Sequence, residues 1–155
     1  MPSRRSAITM SEPELRRFLD EERVLTCATI GPGGRPHLMP LWYVRDGNAL
    51  LAWTYGKSQK VKNLERDPRA TVQLEAGRDT YGDLRGVMLE CDVAIERDPQ
   101  RVGEFGMRLM ARYTGAEPSA DARAGVLQQA SKRVVLRFTP QRIVSWDHRK
   151  LGGTY

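Results

Sequence analysis

Cysteine is nearly absent from this chain: Cys27 and Cys91 are the only two among 155 residues. Both stand inside apolar, β-rich runs, where a cysteine behaves as a small buried hydrophobe. Two thiols cannot build a disulfide framework, and a single bridge is disfavoured in a reducing compartment. Histidine is as scarce, with only His37 and His148. The four residues are scattered, so no metal-ligand spacing arises and no metal site is expected. Long apolar runs are missing too. No segment approaches the roughly 18 residues that a membrane helix needs. Nothing apolar follows Met1-Pro2-Ser3-Arg4-Arg5-Ser6 as a secretory leader would require. The expectation is a cytoplasmic protein with no membrane partner. There is no internal repeat, and no Ser-His-Asp or Cys-His arrangement to support nucleophilic catalysis.

What is present is enough apolar material for one folded domain. Hydrophobic residues make up 40% of the chain, and 25 basic against 19 acidic residues leave a net charge of +6. That balance suits an anionic small ligand. The acidic residues interleave with the basic ones and no nucleic-acid motif occurs, so a nucleic-acid partner is not expected. Residues 1–10 read as a disordered arm and 11–155 as a single domain. Ser11, with Pro13 and Glu14 following, predicts a capped helix start. Strands are predicted from Val24 to Ile30, across Pro36 to Val44, and from Ala49 to Thr54, with Asp46-Gly47 as a hairpin turn. Pro36 and Pro40 place the second of these at an edge or a bulge. Further strands follow at 70–74 and 87–95. Helices then open at Asp98-Pro99 and after Pro118, and a closing strand pair covers 134–138 and 142–146. Strands with helical insertions, not alternating βαβ units, predict a mainly β fold: a six- or seven-stranded antiparallel split barrel with peripheral helices.

The most informative run is Ala52-Trp53-Thr54-Tyr55-Gly56-Lys57-Ser58-Gln59-Lys60. A strand ends, a glycine turn follows, and Lys57, Ser58 and Lys60 stand at the start of a helix. Free N–H groups, the positive end of the helix dipole, two ammonium groups and a hydroxyl form a phosphate grip. The same run also reads as a strand-to-helix turn with solvated lysines, and spacing alone does not separate the two.

The wider pattern is aromatic-Thr at a strand end, Ser-x-Lys, Asn63-Leu64, and Asp67-Pro68-Arg69-Ala70. With the ending Phe138-Thr139-Pro140-Gln141-Arg142-Ile143-Val144-Ser145-Trp146-Asp147, it resembles the flavin-binding split-barrel superfamily of pyridoxamine 5′-phosphate oxidases and their deazaflavin-dependent relatives. The resemblance implies a ring bound along Met39, Pro40, Leu41 and Trp42, with Trp53 and Thr54 at the strand end. It implies a phosphate held by Lys57, Ser58 and Lys60, with Gln59 between them, and a homodimer whose partner completes the pocket. Trp146 and Arg149 are candidates from the partner, and Arg78 and Tyr81 from the polar loop. Ordinary core packing is the competing reading for each tryptophan.

Two departures bear on activity. Arg85 is followed by Gly86 where the oxidases carry arginine–glutamine. The tail Trp146-Asp147-His148-Arg149-Lys150-Leu151 lacks their arginine–histidine–aspartate order. The chain therefore looks more like the deazaflavin branch, which implies an oxidoreductase using coenzyme F-420, a hydride carrier with a phosphate and a polyglutamate tail, on a small-molecule substrate. The cofactor would carry the hydride, so no catalytic side chain is expected. His37 and His148 read as surface or interface residues rather than proton donors. The alternatives are an FMN-dependent oxidoreductase on the same barrel, a cofactor or haem carrier without turnover, and a basic nucleic-acid-binding barrel.

Overall fold

The computed structural model describes residues 3–152. Seven strands form one antiparallel sheet: β1 (Leu25–Ile30), β2 (Pro36–Leu41), β3 (Val44–Asp46), β4 (Ala49–Tyr55), β5 (Arg69–Ala76), β6 (Arg85–Glu96) and β7 (Arg133–Asp147). Their order is β2-β1-β5-β6-β7-β4-β3, so the sheet curls without closing, and β2 and β3 are its free edges. Five helices decorate it: α1 (Arg4–Ala7), α2 (Glu12–Glu21), α3 (Gln59–Arg66), α4 (Pro99–Thr114) and α5 (Ala120–Ala130). This is the mainly β split barrel that the strand pattern predicts. Pro36 and Pro40 lie on the edge strand β2, where a missing ladder donor is tolerated.

Alternation builds the main core. Leu25 and Cys27 of β1, Val72 and Leu74 of β5, and Val87 and Leu89 of β6 point inward. The register places Cys27, Val72 and Leu89 side by side. From β7, Val134, Leu136 and Phe138 close the same cluster. β4 is covered on both faces, which explains its unbroken run Ala49-Leu50-Leu51-Ala52. Its inner residues enter the main core. Leu51 and Trp53 pack outward with Val135 beneath Val102, Phe105 and Leu109 of α4, forming a second core.

Three expectations need correction. Residues 3–10 are not a loose arm. Ser3 caps α1, the Met10 N–H donates to Ser145 Oγ (3.1 Å), and the Asp147 N–H donates to the Ile8 carbonyl (2.7 Å), which docks the segment on β7; Met1 and Pro2 lie outside the described residues. The closing strand pair is one 15-residue strand. Glu90 pairs with Arg142 but Cys91 pairs with Pro140, so Gln141 is an extra residue and the strand bulges instead of turning. Finally, the stretch expected as one strand from Pro36 to Val44 breaks at Trp42-Tyr43 into β2 and β3.

That break is held by a clamp. Ser11 starts α2 with the expected capping box. At the other end of α2, the buried Tyr43 hydroxyl donates to the Leu19 carbonyl (2.5 Å), and Arg112 of α4 donates to the carbonyls of Asp20 (3.0 Å), Glu22 (2.7 Å) and Tyr43. Trp42 stacks on Tyr113, rings 4.2 Å apart and 10° from parallel. The clamp satisfies helix-end carbonyls and fixes where β2 leaves the sheet.

Candidate functional site

The centre of the site is the junction of β4 and α3. Thr54 is buried at the end of β4, facing inward. The turn Gly56-Lys57 is pressed against the start of β7, where the Gly56 N–H donates to the Lys132 carbonyl (2.9 Å). Ser58 is the N-cap of α3, yet its hydroxyl makes no capping bond. One turn into the helix, Lys60 points inward and is only 7% exposed, and its Nζ donates to Thr54 Oγ1 at 2.9 Å. Burial holds the Lys60 pKa below the ordinary lysine value. The nearby Cys27 thiol works against that shift, and the Arg133 guanidinium adds to it. Among the described residues no carboxylate pairs with Lys60. A buried ammonium with one neutral partner is an expensive arrangement.

One turn further along α3, Asn63 is fully buried. Its Nδ2 donates to Thr29 Oγ1 (3.0 Å), and its Oδ1 accepts from Gln59 Nε2 (2.8 Å). The bond to Thr29 welds α3 to β1 and sets the depth at which Lys60 sits, while the bond from Gln59 holds the Asn63 amide in orientation. The weld explains why Asn63 follows the motif lysine at i+3: both face the sheet. Three buried polar atoms around α3 have no hydrogen-bond partner among the described residues: Ser58 Oγ, Arg133 Nε and His37 Nδ1. His37 lies on β2 directly across from Thr29.

The structure separates the residues that the sequence pattern grouped. Thr54, Ser58, Gln59 and Lys60 converge at the junction. Lys57 lies beside them but is exposed. On the edge strand, Met39 (43% exposed) and Trp42 (54%) are open, with Pro40 and Leu41 between them. Trp53 does not share their face. It packs outward under α4, where a Cβ on Gly106 would meet its ring at 2.6 Å. Arg78 lies away from the junction, beside Glu75. Trp146 and Arg149 sit at the far end of β7. There Trp146 covers Gly86, and Arg149 pairs with the buried Asp147 (2.6 Å). The ring of Trp146 occupies the space that a side chain at Gly86 would need, which accounts for the glycine after Arg85. In a single chain, these three residues do not reach Lys60.

Arg133 was invisible to the motif. It opens β7, far along the chain, and only the β4–β7 register brings it opposite Tyr55. Its guanidinium lies over the rings of Trp53 (4.9 Å) and Tyr55 (5.9 Å).

The cysteines take no part in this chemistry. Burial pushes both thiols up to about 12. They lie on β1 and β6 with β5 between them, which is too far apart to bridge. Among the described residues no cluster of side chains is suited to hold a metal ion. A roomier cleft, about 500 Å³, opens on the opposite face of the sheet over Ala28, Thr71 and Glu90. Glu90 and Asp92 line it against a single basic residue, Arg69, which makes it a poor place for an anion. No helix among the described residues is long and apolar enough to cross a membrane.

Comparison with known proteins finds relatives of this fold. The family model for pyridoxamine 5′-phosphate oxidase matches residues 11–147. The conserved hypothetical protein Rv2991 from Mycobacterium tuberculosis is 42% identical, with a TM-score of 0.89, over 99% of this chain and 95% of its own. An F420 reductase is 26% identical, with a TM-score of 0.64, over 83% of this chain and 94% of its own. HutZ, the haem storage protein of Vibrio cholerae, shares the fold at 20% identity and a TM-score of 0.63, over 86% of this chain and 94% of its own. No curated protein matches.

Proposed function

This chain belongs to the pyridoxamine 5′-phosphate oxidase family, and on that footing we propose that it is an oxidoreductase that binds coenzyme F-420 and transfers a hydride between the deazaflavin and a small molecule. The observation that carries this reading is the buried Lys60 beside Thr54 and Ser58, with no carboxylate to neutralise it and an exposed edge strand next to it. The donors fit a phosphate: Lys60 supplies charge, the unpartnered Ser58 hydroxyl supplies a hydrogen bond, and the first turn of α3 supplies free N–H groups. The fold resembles that of an F420 reductase, and the net charge of +6 suits an anionic tail. FMN presents the same phosphate to the same donors and is the second reading.

When bound, the deazaflavin supplies the hydride; the protein binds, orients and excludes water. Thr54 and Lys60 form one rigid pair, because Asn63 locks the helix that carries Lys60 to β1. Met39 to Trp42, held at the Trp42–Tyr113 stack, offer backbone and side chains for a flat ring. Orientation of this kind is the main contribution a protein makes to cofactor chemistry.

The proposal includes a homodimer. Leu38 and Ile30 are exposed apolar residues bordering the face over Ala28 and Thr71, and a second copy covering that face would bury them. It would also allow Trp146 and Arg149 of the second copy to approach the slot.

The purified protein distinguishes the cofactors. Quenching of F-420 fluorescence by a colourless protein, followed by turnover of reduced F-420 with a panel of quinones and enones, is the expected outcome. A yellow protein with a flavin spectrum moves the assignment to FMN. Failure to bind either molecule removes the oxidoreductase reading.

A further inference from the structure

The sequence pattern reads His37 as a surface or interface residue, but the structure turns it inward. It stands on the edge strand β2 directly across from Thr29, whose hydroxyl accepts from Asn63 of α3 (3.0 Å). Arg66, the next residue of α3 on that side, donates to the Ile30 carbonyl, so the helix runs alongside this end of β1. Side chains alternate along β2. Leu38 and Pro40 face outward, while His37, Met39 and Leu41 face inward, where Leu41 packs on the main core. His37 is accordingly half-buried, although its neighbour Leu38 is 59% exposed. Met39, one of the residues offered to a flat ring, follows on the same face about 7 Å along the strand. The tautomer of a histidine is set by the hydrogen bond that one ring nitrogen makes. Among the described residues His37 makes none: Nδ1 is enclosed without a partner, Nε2 bonds to nothing, and no carboxylate pairs with the ring. An enclosed nitrogen left unmet is destabilising, and folds keep such violations chiefly at functional sites.

We propose that His37 is the proton donor of the hydride transfer, and that the substrates it serves are double bonds conjugated to a carbonyl, as in enones and quinones. The assignment rests on the proposed function for the source of the hydride. Reduction of such a bond forms one C–H bond from the hydride, and two electrons pass from the reduced carrier to the substrate. The π electrons move onto the carbonyl oxygen, which then needs a proton. The imidazolium N–H bond of His37 breaks as the O–H bond forms, and the product leaves as the enol or hydroquinone. The neutral imidazole regains its proton from water on the open side of the edge strand. The other acids near the slot suit this step less well. Cys27 is enclosed, and burial pushes its thiol up to about 12. Lys60 is enclosed too, with its ammonium turned to Thr54. Asn63, the α3 residue beside Thr29, is committed to Thr29 and Gln59 and does not tie up the imidazole.

Two hydride acceptors separate the roles. An enone needs a proton to complete its reduction, whereas N-methylacridinium, already a cation, takes a hydride without one. Wild type and His37→Gln are assayed on both, with reduced F-420 and with reduced FMN. Glutamine keeps a polar side chain of similar reach but has no proton to give at neutral pH. The expected result is a loss of about 10²- to 10⁴-fold in kcat on the enone, with acridinium reduction and cofactor affinity each kept within about threefold. Equal losses on both acceptors would show that the histidine only shapes the slot, and equal retention would show that water supplies the proton; either overturns the proposal. Wild type that reduces acridinium but not the enone leaves the hydride reading standing and removes the proton donor. Wild type that reduces neither removes both. A second measurement needs neither turnover nor a folded His37 variant. His37 and His148 are the only histidines, so nitrogen NMR of histidine-labelled protein, assigned with His148→Gln, isolates the His37 ring. Saturation with oxidised F-420 or FMN and a phenol, whose oxygen imitates the one that takes the proton, should shift the His37 signals. Unmoved signals would refute the contact.

Discussion

At the scale of residues, Lys60 shows how a site takes stability from its fold. The lowered pKa means that the unfolded chain binds more protons than the folded one, between the lowered folded value and the ordinary lysine value of 10.5. Over that window the stability of the wild type therefore rises with pH. Below it, the full penalty of burying an ammonium is present. Lys60→Met removes the charge and keeps the stem. In urea denaturation at pH 7 the ligand-free variant should be more stable by about 1 kcal/mol. The gain should shrink toward zero as the pH approaches 10.5, while affinity for F-420 drops by roughly 10- to 150-fold. A variant less stable than wild type at pH 7, with the deficit fading only as the pH rises past 10.5, would mean that Lys60 is stabilised by its surroundings and is not held for a ligand.

At the scale of elements, two glycines on neighbouring helices predict opposite outcomes. α4 packs on β4 so closely that a Cβ at Gly106 would stand 2.6 Å from the Trp53 ring and 2.7 Å from Val126 Cγ1. Gly106→Ala should therefore lower stability by about 1–3 kcal/mol through overpacking. Gly125 of α5 is exposed, and a Cβ there meets nothing within 4 Å. Gly125→Ala should raise stability by about 0.5–1 kcal/mol through helix propensity alone, leaving binding untouched. Thermal unfolding of the pair, each beside wild type, decides both. α2 gives the contrast of an element legible without the fold: Ser11 and Glu14 form a complete capping box from four adjacent residues, and the observed helix starts where that box says.

At the scale of the whole molecule, the open sheet leaves two edge strands, β2 and β3, and the outer face over Ala28 uncovered. Leu38 is 59% exposed on β2, away from the Lys60 junction and directly across from Ala28 on the face proposed for dimer contact. Light scattering of the wild type should give twice the 17.5 kDa of one chain. Leu38→Glu places a charge in the middle of the apolar contact and should shift that mass toward the monomer at micromolar concentration, without unfolding the barrel. A wild-type mass of 17.5 kDa at every concentration would refute the dimer. If Trp146 and Arg149 reach the slot from a second copy, the monomeric variant should also bind F-420 more weakly.

Short-range pattern alone determined the β-rich class, the edge position of β2, the capped helix at Ser11, and the junction at which Lys60 and Ser58 stand. Each depends on residues within a few positions of one another: alternation, a proline without a donor, a capping box, a turn followed by a helix start. Tertiary structure decided what depends on strands meeting across long stretches of chain. Register placed Arg133 beside Tyr55, and the packing of α4 on the outer face of β4 decided that Trp53 is the one to point outward and Thr54 inward. The bulge at Gln141 merged two expected strands into one. Docking of Ile8 and Met10 on the end of β7 gave order to residues that composition alone reads as a loose arm. Alternation says that neighbours face opposite ways, but which way is up is settled only when a core and two helices claim the two faces.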